Sequence, residues 1–388
     1  MKLSSSMARL GTETAFQVLA QAQALEAKGV EVVHLEIGEP DFDTPKNICN
    51  AANEGLGKGL THYCNAQGLV ELRTEIAKQM ERTRGISVGP ERVVVTPGAK
   101  PIMFYSILAL LEEGDEAIYP NPGFPIYESM IDFTGAKSVP IPLREELDFR
   151  LDIDELKSKI TSRTKLIVIN SPQNPTGGVL EEGDIRAIAE LAQKHNITVL
   201  SDEVYEYILY EGKHHSIASL PGMLDRTILL NGFSKTYAMT GWRLGYAVMP
   251  PELVESTVRL IVNSVSCTAP FIQYAGIEAL TGPQDSVPKM VSEFKRRRDV
   301  IVDGLNEIPG ISCLRPKGAF YVFPNVKKVG MNCKQLADHL LQEAGVATLA
   351  GTAFGEYGEG YLRLSYATSL ENIKKALERI KTAVAKLR

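Results

Sequence analysis

From about residue 92 the chain alternates short runs rich in Val and Ile with longer stretches whose apolar residues recur every three or four positions. The short runs predict strands over residues 92–96, 116–119, 166–170, 198–201, 227–230 and 243–249. Between them, the longer periodicity predicts helices such as 102–111 and 182–195. Strands alternating with helices mark a parallel sheet covered on its faces, so the middle of the chain reads as α/β. The last hundred residues change character. They hold a charged, Arg-rich helix over 293–305, short strands near 319–323 and 361–365, and a closing amphipathic helix, an α+β pattern. The first forty offer a helix over 14–28 and a strand over 32–37, too little to bury a core alone. They are expected to pack on the C-terminal domain or on a partner subunit. The expected division is therefore an N-terminal segment (1–43), a large α/β domain (44–289) and a small α+β domain (290–388), with no internal repeat and no low-complexity linker.

Composition narrows the function classes. With 388 residues and 44% hydrophobic content the chain can bury a sizeable core, and a net charge of −5 leaves no footprint for nucleic acid or an anionic membrane. Small molecules and a second copy of the chain are the expected partners. The start lacks an apolar signal region and no eighteen-residue apolar run occurs, so a soluble, cytoplasmic protein is expected. Cys49, Cys64, Cys267, Cys313 and Cys333 are scattered without a CxxC, which fits buried thiols in a reducing compartment better than disulfides or zinc. The histidines form no HExxH, and no metal site is expected; the pair His214-His215 falls in a polar loop. GLGKG at 55–59 lacks the offsets of a phosphate loop and reads as a turn. The sequon at Asn196 carries no meaning without a secretory signal.

Four segments carry chemistry. NGFSKTYAMTGWRLGY (231–246) follows an apolar strand and places Ser234, Lys235 and Arg243 in one slim loop. Such an amine can form an imine with a phosphorylated cofactor while Ser234 and Arg243 hold its phosphate; alone, it is equally a solvated lysine. In SDEVYEYILYEG (201–212), Asp202 closes a strand, where ligand sites arise in open α/β sheets, and Tyr205 follows one turn later. The aspartate could face a pyridinium nitrogen or simply cap a helix. NSPQNPTGG (170–178) presents Asn174 from a loop stiffened by two prolines. TPGAKPIMFYS (96–106) puts Gly98 and Ala99 at a helix start, a place suited to phosphate, although most such starts bind none.

In order and spacing these segments resemble the fold-type I pyridoxal-phosphate (PLP) aminotransferases, closely the gamma subgroup of aspartate aminotransferases and the archaeal aromatic aminotransferases. The resemblance spans nearly the whole chain and includes EIGEPDFDTP (36–45), THYCNAQGLVELR (61–73), PKGAFYVFP (316–324) and LRLSYATS (362–369). It implies a three-layer α/β fold with a mostly parallel seven-stranded sheet and a smaller α+β domain. It also implies PLP as cofactor, with Lys235 as Schiff-base lysine and proton shuttle, Asp202 as pyridinium partner, and Tyr205 and Asn174 at the phenolic oxygen. Ser234, Arg243, Gly98 and Ala99 would anchor the phosphate, and Phe124 would stack on the ring where many relatives carry Trp. Tyr63 matches a residue that reaches the phosphate of the partner subunit, which implies a homodimer with shared active sites.

For the substrate, the resemblance implies Arg363 as a bidentate grip on the α-carboxylate, helped by Asn174 and the backbone at Gly38. Lys100 falls where some gamma-subgroup enzymes meet a distal carboxylate, favouring aspartate and glutamate. Phe16 and Gln17 stand where those enzymes have small hydroxyl residues, which favours an apolar or aromatic amino acid. The implied reaction is a ping-pong transfer of an α-amino group to a 2-oxo acid such as 2-oxoglutarate. A PLP-dependent C–S lyase shares the lysine and the fold. A ligand-sensing regulator would need a DNA-binding domain, and no basic helix-turn-helix pattern is present.

Overall fold

The computed structural model describes Met1 and residues 3–387. Seven strands form the central sheet: β1 (Val93–Thr96), β2 (Glu116–Asn121), β3 (Lys137–Pro142), β4 (Thr164–Asn170), β5 (Thr198–Asp202), β6 (Thr227–Gly232) and β7 (Gly245–Val248). Their order is β1-β7-β6-β5-β4-β2-β3, parallel throughout except for β7, which runs antiparallel to β6 and β1. The fold class is the one expected. The pattern of Val and Ile missed β3, because KSVPIP carries two prolines. A strand at the sheet's edge tolerates them, since its outer N–H positions need no ladder partner.

Alternation along the inner strands explains why both faces are covered. Leu166 and Val168 pack with Ile102, Met103 and Ile107 of the helix Lys100–Leu110. Ile167 and Ile169 point the other way, onto Ile185, Ile188 and Ala192 of Glu182–His195. That second helix begins in a reciprocal capping box between Glu181 and Asp184 and stops at Asn196, whose φ of 53° cannot continue it.

Outside the sheet, Val33–His34 pairs in parallel with Val346–Ala347, and Val33 and Leu35 share a core with Phe294, Ile301, Phe320, Leu336 and Ile380. This stretch thus packs against the C-terminal part of its own chain, whereas Arg9 donates to the Asp132 and Phe133 carbonyls and ties the first residues to the helix Ile126–Thr134. The strand Leu362–Ser365 lies between Leu349–Ala350 and Tyr321–Val322 in a three-stranded antiparallel sheet. Two expectations need correction. Gly55 and Gly57 belong to the helix Lys46–Gly57, leaving only Lys58 and Gly59 outside it to turn the chain. Of the five cysteines only Cys313 and Cys333 are buried, and the other three are half-exposed because they lie at helix ends and in loops. No described helix is long and apolar enough to cross a membrane.

The sheet positions the site. Parallel β4, β5 and β6 end side by side at Asn170, Asp202 and Gly232, with Asn170 and Asp202 in register. Antiparallel β7 starts at the same edge, and Gly245 pairs there with both Gly232 and Thr96. Every chemically marked loop therefore emerges along one edge, at the carboxyl ends of the parallel strands.

Candidate active site

Those loops wall a cavity of about 570 Å³, closed on the other side by Gly38, Tyr321, Phe354 and Arg363. Lys235 sits in a single helical turn, Phe233–Thr236, directly after β6. Its ammonium donates to the carbonyl of Gly38 at 2.6 Å and lies 5.9 and 5.7 Å from the ring centres of Tyr205 and Phe320. Burial pulls its pKa down to about 8; Glu39 opposes the shift, while the nearby cations Arg363, Arg243 and Lys100 reinforce it.

Asp202 is buried at the end of β5, where burial pushes its carboxyl up to about 6. The shift is restrained by the Tyr127 hydroxyl, which donates to Oδ2 at 2.6 Å, and by the Val204 amide at 3.3 Å. The chain turns after Asp202 without forming a helix, so the carboxylate is not a helix cap. Tyr205 is buried beside it and shares a 2.7 Å hydrogen bond with the Tyr321 hydroxyl. Burial holds the Tyr205 proton well above its ordinary range. Asn174 is fixed by its own amide, which donates to Asn170 Oδ1 at 2.9 Å, yet its buried Oδ1 has no partner.

The floor of the cavity is built by close approach. A Cβ on Gly98, at φ +91°, would lie 2.2 Å from Arg243 Nη2, and one on Gly245 would lie 2.5 Å from the Ala99 amide nitrogen. Glycine at both places brings Arg243 against the start of the helix Lys100–Leu110, with Ser234 lining the same space. Arg243 itself has φ 55° and donates to the Thr240 carbonyl at 2.8 Å. On the opposite wall, Arg363 donates to the Glu36 carbonyl and stands 4.7 Å from the Tyr321 ring centre, while its buried Nε has no partner. A Cβ on Gly38 would collide with the Tyr321 hydroxyl, so this backbone too requires glycine.

The cavity thus gathers Gly38, Ala99, Lys100, Phe124, Asn174, Asp202, Tyr205, Ser234, Lys235, Arg243 and Arg363, with Gly98 immediately behind Arg243. Tyr63 is not among them; it is 89% exposed, outside the cavity. Sequence reasoning missed Tyr127 and Tyr321, which hold Asp202 and Tyr205, and Glu13, which contacts Lys100. Tyr127 lies three positions after Phe124, a helical spacing that aims both at one side and could have flagged it. A second polar cluster lies behind the site. Glu203, Glu206 and His214 converge, and the buried Arg84 guanidinium pairs with both carboxylates, so a cation of the chain occupies their centre.

Residues 30–380 match the family model for aminotransferase class I and II. This chain belongs to that family. Among similar proteins, an aspartate aminotransferase of Pyrococcus abyssi is 45% identical over 354 residues, 90% of this chain and 91% of that protein. The aromatic-amino-acid aminotransferase 2 of Thermococcus litoralis is 43% identical over 359 residues, 91% and 92% of the two chains. Among solved structures, the aspartate aminotransferase of Thermus thermophilus with maleate superposes with a TM-score of 0.94 at 38% identity, covering 99% of this chain and 100% of that one.

Class I and II aminotransferases depend on PLP, and this aminotransferase is an enzyme of that type. Its residues fit the cofactor. A buried primary amine of lowered pKa, a buried carboxyl, the buried side chain of Asn174 and a floor that admits no Cβ beside Arg243 face one cavity.

Proposed function

We propose that this aminotransferase moves the α-amino group of aspartate or glutamate to a 2-oxo acid such as 2-oxoglutarate, in a ping-pong cycle run by Lys235. In this reading Asp202 faces the PLP ring nitrogen, Tyr205 and Asn174 its phenolic oxygen, and Phe124 its ring face, while Ser234, Arg243, Gly98 and Ala99 hold the phosphate. When bound, PLP supplies the electron sink that accepts the charge left at the substrate's α-carbon. The observation that carries the proposal is the shared burial of an amine shifted to about 8 and a carboxyl shifted to about 6 at one strand edge. An amine near that value takes up the α-proton as a neutral base and returns it as an acid at working pH. The Asp202 carboxylate, held by Tyr127, keeps a positive ring nitrogen charged. Arg363 grips the α-carboxylate through its free Nε and fixes the α-carbon near Lys235, with Gly38 and Asn174 alongside.

Lys100 would read the distal carboxylate of a dicarboxylic substrate. A second reading, an aromatic donor, is favoured by the rings of Phe16, Phe124 and Phe354 in the same cavity. Titrating the PLP absorbance band with aspartate, glutamate, phenylalanine and alanine separates them. Bleaching by aspartate that 2-oxoglutarate reverses is expected, whereas bleaching by phenylalanine alone would replace the first reading with the second. A homodimer with shared sites gives Tyr63 its partner, since 89% of it is exposed in the single chain. The free cysteines support a reducing, cytoplasmic setting, and the working division is 1–43, 44–289 and 290–388.

A further inference from the structure

An aminotransferase cycle runs both half-reactions in one cavity, so the same wall meets two side chains in turn. If one partner is glutamate or 2-oxoglutarate and the other carries an aromatic group, that wall faces a carboxylate in one half and a ring in the next. A lysine serving the first becomes a liability in the second, because an ammonium walled off by apolar atoms needs a counter-charge.

Lys100 already has one. Its ammonium contacts the Glu13 carboxylate, and Lys100 is its one hydrogen-bond partner among the described residues. The Glu13 side chain is 17% exposed and that of Lys100 45%, so the pair is partly screened from water. The ammonium lies 5.5 and 6.0 Å from the ring centres of Phe124 and Phe16, within cation–π range of both. All four residues line the cavity that holds Lys235 and Arg363. Glu13 precedes the helix Ala15–Glu26, and that helix start carries no side-chain cap, so the carboxylate is committed to Lys100 and not to backbone amides.

From this arrangement we infer that Glu13 is an internal stand-in for a substrate's distal carboxylate. It neutralises Lys100 while an uncharged or aromatic side chain fills the cavity, and it yields Lys100 when a dicarboxylic substrate binds. The inference rests on Lys100 as the reader of the distal carboxylate. Glu13 is then a specificity-determining residue that lets one pocket serve two side-chain classes. Its charge also reaches Arg363, which would affect every substrate's α-carboxylate alike, so the ratio between substrates isolates the effect on Lys100.

The test uses the PLP-loaded enzyme and reads the cofactor's absorbance as succinate or 3-phenylpropionate binds, in wild type, Glu13→Gln, Lys100→Met and the double variant. Glu13→Gln is expected to tighten succinate about two- to fivefold and to weaken 3-phenylpropionate by a similar factor, as befits a half-screened ion pair. The kcat/KM ratio of aspartate over phenylalanine should rise in step, and on the Lys100→Met background Glu13→Gln should leave the ratio of succinate to 3-phenylpropionate affinity unchanged. An unchanged succinate affinity in Glu13→Gln, or equal changes for both ligands, overturns the inference. If Lys100→Met itself leaves succinate binding intact, the distal-carboxylate reading of Lys100 falls first and takes Glu13 with it. If Lys100→Met weakens succinate while Glu13→Gln does not tighten it, only the role of Glu13 falls.

Discussion

Tyr127 donates a 2.6 Å hydrogen bond to Asp202, and both side chains are buried. The hydroxyl is the strongest influence holding the carboxylate charged against burial, which otherwise lifts it to about 6. Removing it with Tyr127→Phe pushes the Asp202 pKa higher still. In the PLP-free protein near pH 6 the wild-type carboxyl is about half ionised and the variant's mostly neutral, whereas near pH 8 both are largely charged. PLP affinity should therefore fall about tenfold or more at pH 6, the range expected for a hydrogen bond to a charged group, and by less at pH 8. Equilibrium titration of the apoenzyme at the two pH values measures this. A loss that is the same at both would mean Tyr127 acts by packing alone.

Lys235 sets a second pH dependence. Its amine must be neutral to attack a carbonyl, and burial lowers its pKa from 10.5 to about 8. The rate of PLP capture by apoenzyme should rise with pH through a midpoint near 8. The depressed value also means that the lysine's contribution to apoenzyme stability is complete above pH 10.5 and is lost as pH falls through about 8. Stopped-flow absorbance reads the capture rate; a midpoint near 10 would show the amine to be solvated. Lys235→Ala should lower transamination by at least about 10³-fold, the scale of a lost acid–base group.

The α/β class and the strands that end in chemistry were legible because β4, β5 and β6 are buried on both faces and so read as unbroken apolar runs. The proline-bearing β3 was not, since its propensity is poor and only its edge position permits it. Within the site, residues on strand-end motifs could be named, whereas Tyr321 and Glu13 come from segments remote in sequence and meet Tyr205 and Lys100 only through the fold. Nothing in their local pattern records a partner more than eighty residues away.

Arg363 offers a prediction on substrate binding that is blind to the side chain. Its Nε is buried without a partner, and one Nη is held by the Glu36 carbonyl, so the fork is aimed before substrate arrives. Arg363→Lys keeps a charge but loses the fork. KM for aspartate and for phenylalanine should rise together, by roughly tenfold to a hundredfold. Steady-state kinetics with both donors checks it, and a rise confined to one donor would move Arg363 to side-chain recognition.

Arg84 supports the loop that carries Asp202 and Tyr205 without touching either. Its side chain is 3% exposed and pairs with Glu203 and Glu206; Glu203 also accepts from Ser216 and Ser201, and Glu206 from Asn231, two residues before Phe233. Burial works against the Glu203 charge, yet His214 and Arg84 together hold its pKa down to about 2, so the carboxylate stays ionised across the working range. Arg84→Met leaves two buried carboxylates facing each other with one fewer cation. That should cost about 3–5 kcal/mol of stability, the usual penalty for breaking a buried ion pair from one side. Denaturant unfolding of the apoenzyme measures it. Because the pair Glu203–Glu206 then repels, adding Glu206→Gln to Arg84→Met should recover part of the loss; a double variant no more stable than the single one would mean that packing of the guanidinium, and not its charge, is what the fold requires.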